Sequence, residues 1–425
     1  MPPLDKLSGL KRLSGIHKLR DIPPLSRAIF PGAHCPLFGA AMVLAGISDA
    51  LALVIGPEEC TYYTKDFTIR REGFGGIDGR CVSFTLNHND IALGCGEALA
   101  NELKEVILER NPAAVFLITT CLIEITGEDI ESVGRQAEAE TGVPVLVIHT
   151  EHFICENHLA GMERTLAACA ELAEPPKREP SGVNLLGGRL GQSEGAELIA
   201  ALESAGARVR TRLPSSVCSI SDLRSAARAK ANVVLDAIAL PYAKRLKERF
   251  GIPYVMFPRE VDPERVNDAY AALFSQLDAA APPTLAGEYA NARKKTIEAR
   301  AVLRGQRFIY GNTTIPAFAF VAFLARLGME PVLMQTRDWK DEDEPLREAI
   351  LRAGFDPYVT RSANLAPIRA LYGQLQPRLY IGHEDGRSLK AQGIAQVTSD
   401  TCGDLAGFDL SCAILDLLME AMRDA

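Results

Sequence analysis

The sequence predicts an α/β protein of three Rossmann-like domains, each built on a parallel sheet. Three observations carry that prediction. Short buried-strand runs alternate with helical periodicity, Gly and Pro recur between them as punctuation, and two Pro/Gly-rich linkers divide the 425 residues. The linkers are 173–182 (AEPPKREPSG) and 279–287 (AAAPPTLAG). They leave an N-terminal arm over 1–31 and domains over 32–178, 183–280 and 288–425.

Taken in order, the arm is locally basic, with Lys6, Lys11, Arg12, Lys18, Arg20 and Arg27 against Asp5 and Asp21. It lacks the apolar core and cleavage site of a secretory signal and is expected to pack on a neighbour. The first domain carries the strand runs AVFLIT (114–119) and VLVIHT (145–150). The second opens on VNLLGG (183–188), followed by a helix over 194–205 and the strand run NVVLDA (232–237). The third opens on RFIYG (307–311), continues into an apolar helix over 318–327 and contains RLYIGH (378–383). Helices stop and strands restart at Gly142-Val143-Pro144-Val145, Gly251-Ile252-Pro253-Tyr254 and Gly328-Met329-Glu330-Pro331-Val332. Gly suits the left-handed residue that ends a helix, and Pro cannot continue one. Strand–helix alternation implies right-handed crossovers between parallel strands.

The charge balance, 46 Lys+Arg against 54 Asp+Glu, gives −8 with no basic face, which excludes nucleic acid as the main partner. The longest apolar runs, such as 38–47 and 317–325, fall short of the roughly 20 residues a membrane span needs. Ten cysteines without a secretory signal point to reduced thiols in a cytoplasmic protein, serving as ligands or core residues rather than disulfides.

Gly187-Gly188-Arg189-Leu190-Gly191 follows a strand as a phosphate loop would, yet fits neither GxGxxG nor the Walker pattern and is expected to be a ligand-free turn. No GxSxG elbow is present. His383-Glu384-Asp385 reads either as a metal site or as a solvated loop. The cysteines are more informative. Cys35 sits between Gly32 and Pro36, Cys60 follows Gly56-Pro57, and Cys121 directly follows the run AVFLITT. The C-terminal end of a parallel strand is where such sheets bind ligands. Soft thiolates on three loops, backed by apolar strands, suit iron–sulfur ligation; buried structural thiols are the alternative. Three cysteines leave a cluster one donor short, so a second chain or a non-cysteine donor completes it.

These residues resemble the nitrogenase component 1 superfamily. Cys35, Cys60 and Cys121 match the spacing of the three P-cluster cysteines in each subunit of the molybdenum–iron protein and its relatives. CPLFGA from Cys35, Gly56-Pro57, TTCLIEITGED (119–129), GIPY at Gly251 and AGFDL (406–410) match as well. Glu124, the stretch His149-Thr150-Glu151-His152-Phe153, and His158 with Gly161 resemble the β-type chain. The α-type cofactor ligands are missing: 235–237 holds no Cys, no His follows Gly386, and Cys218 and Cys402 are only near substitutes.

The resemblance implies a β-type subunit of a two-component, ATP-dependent nitrogenase-like reductase. In that reading an α-type partner completes an α2β2 heterotetramer, and a separate iron protein delivers electrons through a shared cluster of eight or four irons held by Cys35, Cys60 and Cys121. The active site lies mainly in the α-type partner, and small organic sulfides (methylthio-alkanes) are the favoured substrate. A scaffold for cofactor assembly and a dark-operative tetrapyrrole reductase are the alternatives. Backbone N–H groups near Gly56, Gly94 and Gly127 are expected to donate to the cluster; Tyr62 and Phe67 either shield it or pack in the core, and Cys95 reads as an inert packing thiol rather than a cluster neighbour. Cys169 and Cys412 are expected on apolar helices, with stability roles only.

Overall fold

The structure is a computed structural model that describes residues 6–22, 34–70, 77, 79–155, 157–176, 181–190, 195–215, 218–311, 313–336, 339–361 and 368–423. Over residues 6–22 the arm docks on its own chain. Its short strand β1 (Lys11–Arg12) pairs antiparallel with β12 (Tyr358–Arg361) of the same chain, while Leu13, Ile16 and Ile22 are buried against the third domain's core. Apolar residues between the basic ones supply the reason, since burying each such side chain stabilises by about 1.5–3 kcal/mol.

The first sheet comprises β2 (Ala50–Gly56), β3 (Cys81–Thr85), β4 (Ala114–Thr119) and β5 (Val145–Ile148), all parallel, in the order β3-β2-β4-β5. The second has β6 (Val183–Leu190), β7 (Val209–Ser215), β8 (Ala231–Val234) and β9 (Tyr254–Met256), in the order β7-β6-β8-β9. The third has β10 (Arg307–Tyr310), β11 (Glu330–Thr336), β12, β13 (Leu379–Ile381) and β14 (Ala395–Val397), in the order β1-β12-β11-β10-β13-β14. Every pairing but that of β1 is parallel. In each domain the first strand to pair centrally has neighbours added on both sides, the doubly wound pattern the alternation predicted. Gly142 and Gly251 end their helices in the left-handed conformation, at φ 72° and 71°.

Two local expectations fail. The second linker is helical from Thr284, because Pro282-Pro283 starts the long helix Thr284–Leu303 instead of breaking the chain. The strand β6 runs through Gly187 to Leu190 with no turn at Gly187. A Cβ on Gly187 would stand 2.8 Å from the Asp236 amide, so this glycine permits a close backbone approach. Gly191 lies outside the described residues.

The C-terminal helix Gly407–Arg423 ties the second and third domains together, with Phe408 in one core and Leu410, Ile414, Leu415 and Leu418 in the other. Among the described residues no helix is long and apolar enough to cross a membrane.

Candidate metal centre

The site is assembled at one end of the first sheet. Seven helices frame it: α1 (Pro36–Ala45), α2 (Glu58–Arg70), α3 (His88–Leu93), α4 (Gly96–Arg110), α5 (Cys121–Thr126), α6 (Ile130–Thr141) and α7 (Leu159–Cys169). Cys35 is the extended residue just before α1, with Pro36 opening the helix. Cys60 is the third residue of α2, reached from the end of β2. Cys121 begins α5, one residue beyond β4 and Thr120. Because β2 and β4 are paired neighbours (Ile55 opposite Thr119), Cys60 and Cys121 emerge side by side.

Glycines set the fine positions. A Cβ on Gly56 would overlap Thr120, 2.1 Å from its Oγ1, and Thr120 Oγ1 donates to the Ile55 carbonyl at 2.8 Å. Only glycine lets the two loops sit this close. Likewise α1 and α7 touch backbone to backbone. A Cβ on Gly39 would meet the His158 carbonyl at 1.9 Å, and one on Gly161 the Pro36 carbonyl at 1.8 Å. That contact fixes the start of α1, and Cys35 with it.

All three thiols are half-buried. Burial pushes the Cys60 thiol up, and its neighbours Cys121 and Cys35 push it further, so the three sulfurs share one electrostatic environment. Thiolates crowded in this way repel one another unless a cation lies between them. Among the described residues, no three His, Cys, Asp or Glu side chains are gathered to hold a single metal ion. Soft sulfur donors of this kind suit iron–sulfide ligation.

Five further cysteines pack in the cores. Cys95 lies in the core between the first sheet and α4 and α6, its thiol pushed up to about 11 by burial and by Glu128 and Asp90. Cys169 and Cys218 lie together with Tyr242 in the core on the sheet's other face, and burial raises both thiols strongly. Cys402 is buried in the third domain, its carbonyl bonded by Arg259, and Cys412 is half-buried on the C-terminal helix.

Two expected backbone donors are already engaged: the Gly94 N–H bonds the Asp90 carbonyl at 3.0 Å, and that of Gly127 the Ile123 carbonyl at 3.3 Å. The neighbour that the sequence reading missed is His152, whose Nδ1 lies 3.7 Å from the Cys121 sulfur. His152 follows β5, and β5 pairs with β4, the strand that delivers Cys121. Only the strand order makes the two neighbours. Tyr62 does not cover the thiols: it is 61% exposed and stacks edge-on against Tyr63. The Phe67 side chain lies outside the described residues. Tyr62, Tyr63, Ile125, Phe153 and Ile154 are all exposed large apolar residues, and each lies within five residues of Cys60, Cys121 or His152.

His383, Glu384 and Asp385 form no metal site. His383 pairs with Asp400 at 3.1 Å, Glu384 is buried against Arg369 and Tyr372, and Asp385 caps the helix Gly386–Ala391.

Comparison with known proteins places these observations. The family described as nitrogenase component 1 type oxidoreductase matches residues 35–399. The nitrogenase iron-molybdenum cofactor biosynthesis protein NifE of Nostoc sp. is 28% identical over 400 residues, 91% of this chain and 82% of that protein. The protein of the same name from Sinorhizobium fredii is 28% identical over 369 residues, 82% of this chain and 73% of that protein. The nitrogenase molybdenum-iron protein alpha chain of Methanosarcina barkeri is 28% identical over 247 residues, 53% of this chain and 44% of that one. The solved structure "Nitrogenase Cp1 at pH 6.5" superposes with a TM-score of 0.80 at 17% identity, covering 94% of each chain.

Proposed function

The chain belongs to the nitrogenase component 1 type oxidoreductases, and from that premise we propose that it is an assembly subunit. It would hold an iron–sulfur cluster or a cofactor precursor together with a related partner chain and pass the cofactor on. Two relatives that span most of the chain are cofactor biosynthesis proteins, which favours this reading over substrate turnover. The observation that carries the cluster itself is the convergence of Cys35, Cys60 and Cys121 in one electrostatic environment at the end of the first sheet.

The chain's own contribution follows from its geometry. The thiols would be the ligands, and Cys35 and Cys60 sit at the N-terminal ends of α1 and α2. When bound, the cluster supplies electron storage and soft sulfide bridges. The exposed apolar residues around Cys60, Cys121 and His152 are where a partner chain would cover the site. The β-type label rests on Glu124, on residues 149–153 with His158 and Gly161, and on the missing α-type cofactor ligands, while an alpha chain also stands among the relatives. What remains for either type is a hetero-oligomer.

The test is anaerobic co-expression with the partner chain, followed by iron and sulfide analysis and incubation with a cofactor-free acceptor protein. The expected result is several irons per chain and activation of the acceptor. Turnover of a small substrate by the complex, with no transfer, would instead support a reductase. Cys121→Ala should lose most of the iron while keeping the far-ultraviolet dichroism of the fold, because none of the cores depends on that thiol.

A further inference from the structure

The turn that presents His152 is held in place from several directions. Glu151 adopts the left-handed conformation, φ 42° and ψ 47°, which a residue with a Cβ adopts only when its surroundings impose it. Those surroundings are on both sides. Glu124 Oε1 accepts the Glu151 N–H at 2.8 Å, the Thr119 hydroxyl at 2.5 Å and the Thr150 hydroxyl at 3.3 Å. From α7, Arg164 donates to the carbonyls of His149 at 3.1 Å and Thr150 at 2.5 Å, and pairs with the Glu151 carboxylate. The next residue, His152, starts a short 3-10 turn with its Nδ1 3.7 Å from the Cys121 sulfur. None of these anchors is needed to close the sheet, since β5 is already paired to β4.

We propose that His152 is a hydrogen-bond donor to the Cys121 sulfur, and that Arg164 is the residue that positions it through the strained turn at Glu151. This rests on the cluster reading above. With its proton on Nδ1, the ring donates N–H to a thiolate that is also a ligand. An N–H···S bond withdraws electron density from the sulfur, so less is passed to iron and the reduced state of the cluster is favoured. The imidazole thereby sets the potential of the group without ligating it. The arrangement differs from the usual backbone donors, because a side chain on a separate loop can be removed without changing the ligands.

The experiment uses the full chain with its partner, purified anaerobically and labelled with 15N-histidine. Wild type should show weak nitrogen coupling to the reduced cluster in pulsed electron paramagnetic resonance. His152→Ala should keep the iron content, lose that coupling and show a more negative midpoint potential. Arg164→Gln should follow His152→Ala. Glu151→Gly should retain the wild-type potential, because glycine adopts the left-handed turn without the ion pair. A potential unchanged in His152→Ala overturns the proposal, as does the absence of nitrogen coupling. Strong coupling of ligand size would overturn it in favour of direct ligation. A wild-type complex without iron overturns the cluster reading itself, a result distinct from all of these.

Discussion

At the scale of single residues, the site depends on side chains that are absent as much as on those present. Gly56 is the clearest case, since its missing Cβ is the space that Thr120 occupies beside Cys121. Gly56→Ala must displace Thr120, whose hydroxyl also holds the Ile55 carbonyl. Overpacking of this kind costs about 1–3 kcal/mol. Denaturant titration of Gly56→Ala should therefore show that loss, and the anaerobically prepared variant should carry less iron than wild type. An iron content equal to wild type would mean that the Cys60 and Cys121 loops tolerate separation. Gly161 and Gly39 act in the same way on Cys35, through the contact of α1 with α7.

At the scale of elements, the start of α4 is held by a cap drawn from a distant segment. The amides of Cys95 and Gly96, at the start of α4, are bound by the Glu128 carboxylate at 3.1 and 3.0 Å. Glu128 belongs to the turn between α5 and α6, immediately after the segment that carries Cys121. A negative carboxylate at a helix start satisfies free amides and complements the helix dipole. Glu128→Ala should cost about 1 kcal/mol, in line with other lost N-terminal caps. Hydrogen exchange should locate the change in the first turn of α4. Uniform loss of protection across the first sheet would show instead that Glu128 supports the sheet as a whole.

At the scale of the whole molecule, the second and third domains are joined through a buried carboxylate. Glu197, on the helix Ala196–Ser204, accepts the Tyr270 hydroxyl at 2.6 Å and the amides of Phe408 at 3.0 Å and Asp409 at 2.6 Å. It thus caps the C-terminal helix from another domain. Burial raises its pKa, and those hydrogen bonds only partly offset the effect. A carboxyl whose folded pKa exceeds its unfolded value holds its proton longer in the folded chain. Its contribution to stability is fully present below the unfolded value, near pH 4.5, and declines as pH rises through the folded value. Unfolding free energies measured across the acidic range up to neutral pH should show that decline in wild type. The dependence should be flatter in Glu197→Gln, and equal slopes would assign it to other groups.

The sequence by itself determined the fold class, the three parallel sheets and the family. These depend on local periodicity, on Gly and Pro at helix ends, and on short motifs around three cysteines. AVFLIT proved to be β4 residue for residue, and RFIYG gave β10, because buried parallel strands are continuous apolar runs. The packing role expected for Cys169 was legible as well, as a cysteine on an apolar helix. Only the tertiary structure decided the surroundings of those three cysteines. His152 meets Cys121 because β5 pairs with β4, and Arg164 reaches the Glu151 turn because α7 packs where it does. The arm likewise docks on its own third domain through β1 and β12, 344 residues apart in the case of Arg12 and Asp356. Local sequence encodes the preference of each segment for helix or strand. Contacts between segments far apart in the chain depend on strand order, which no single segment contains.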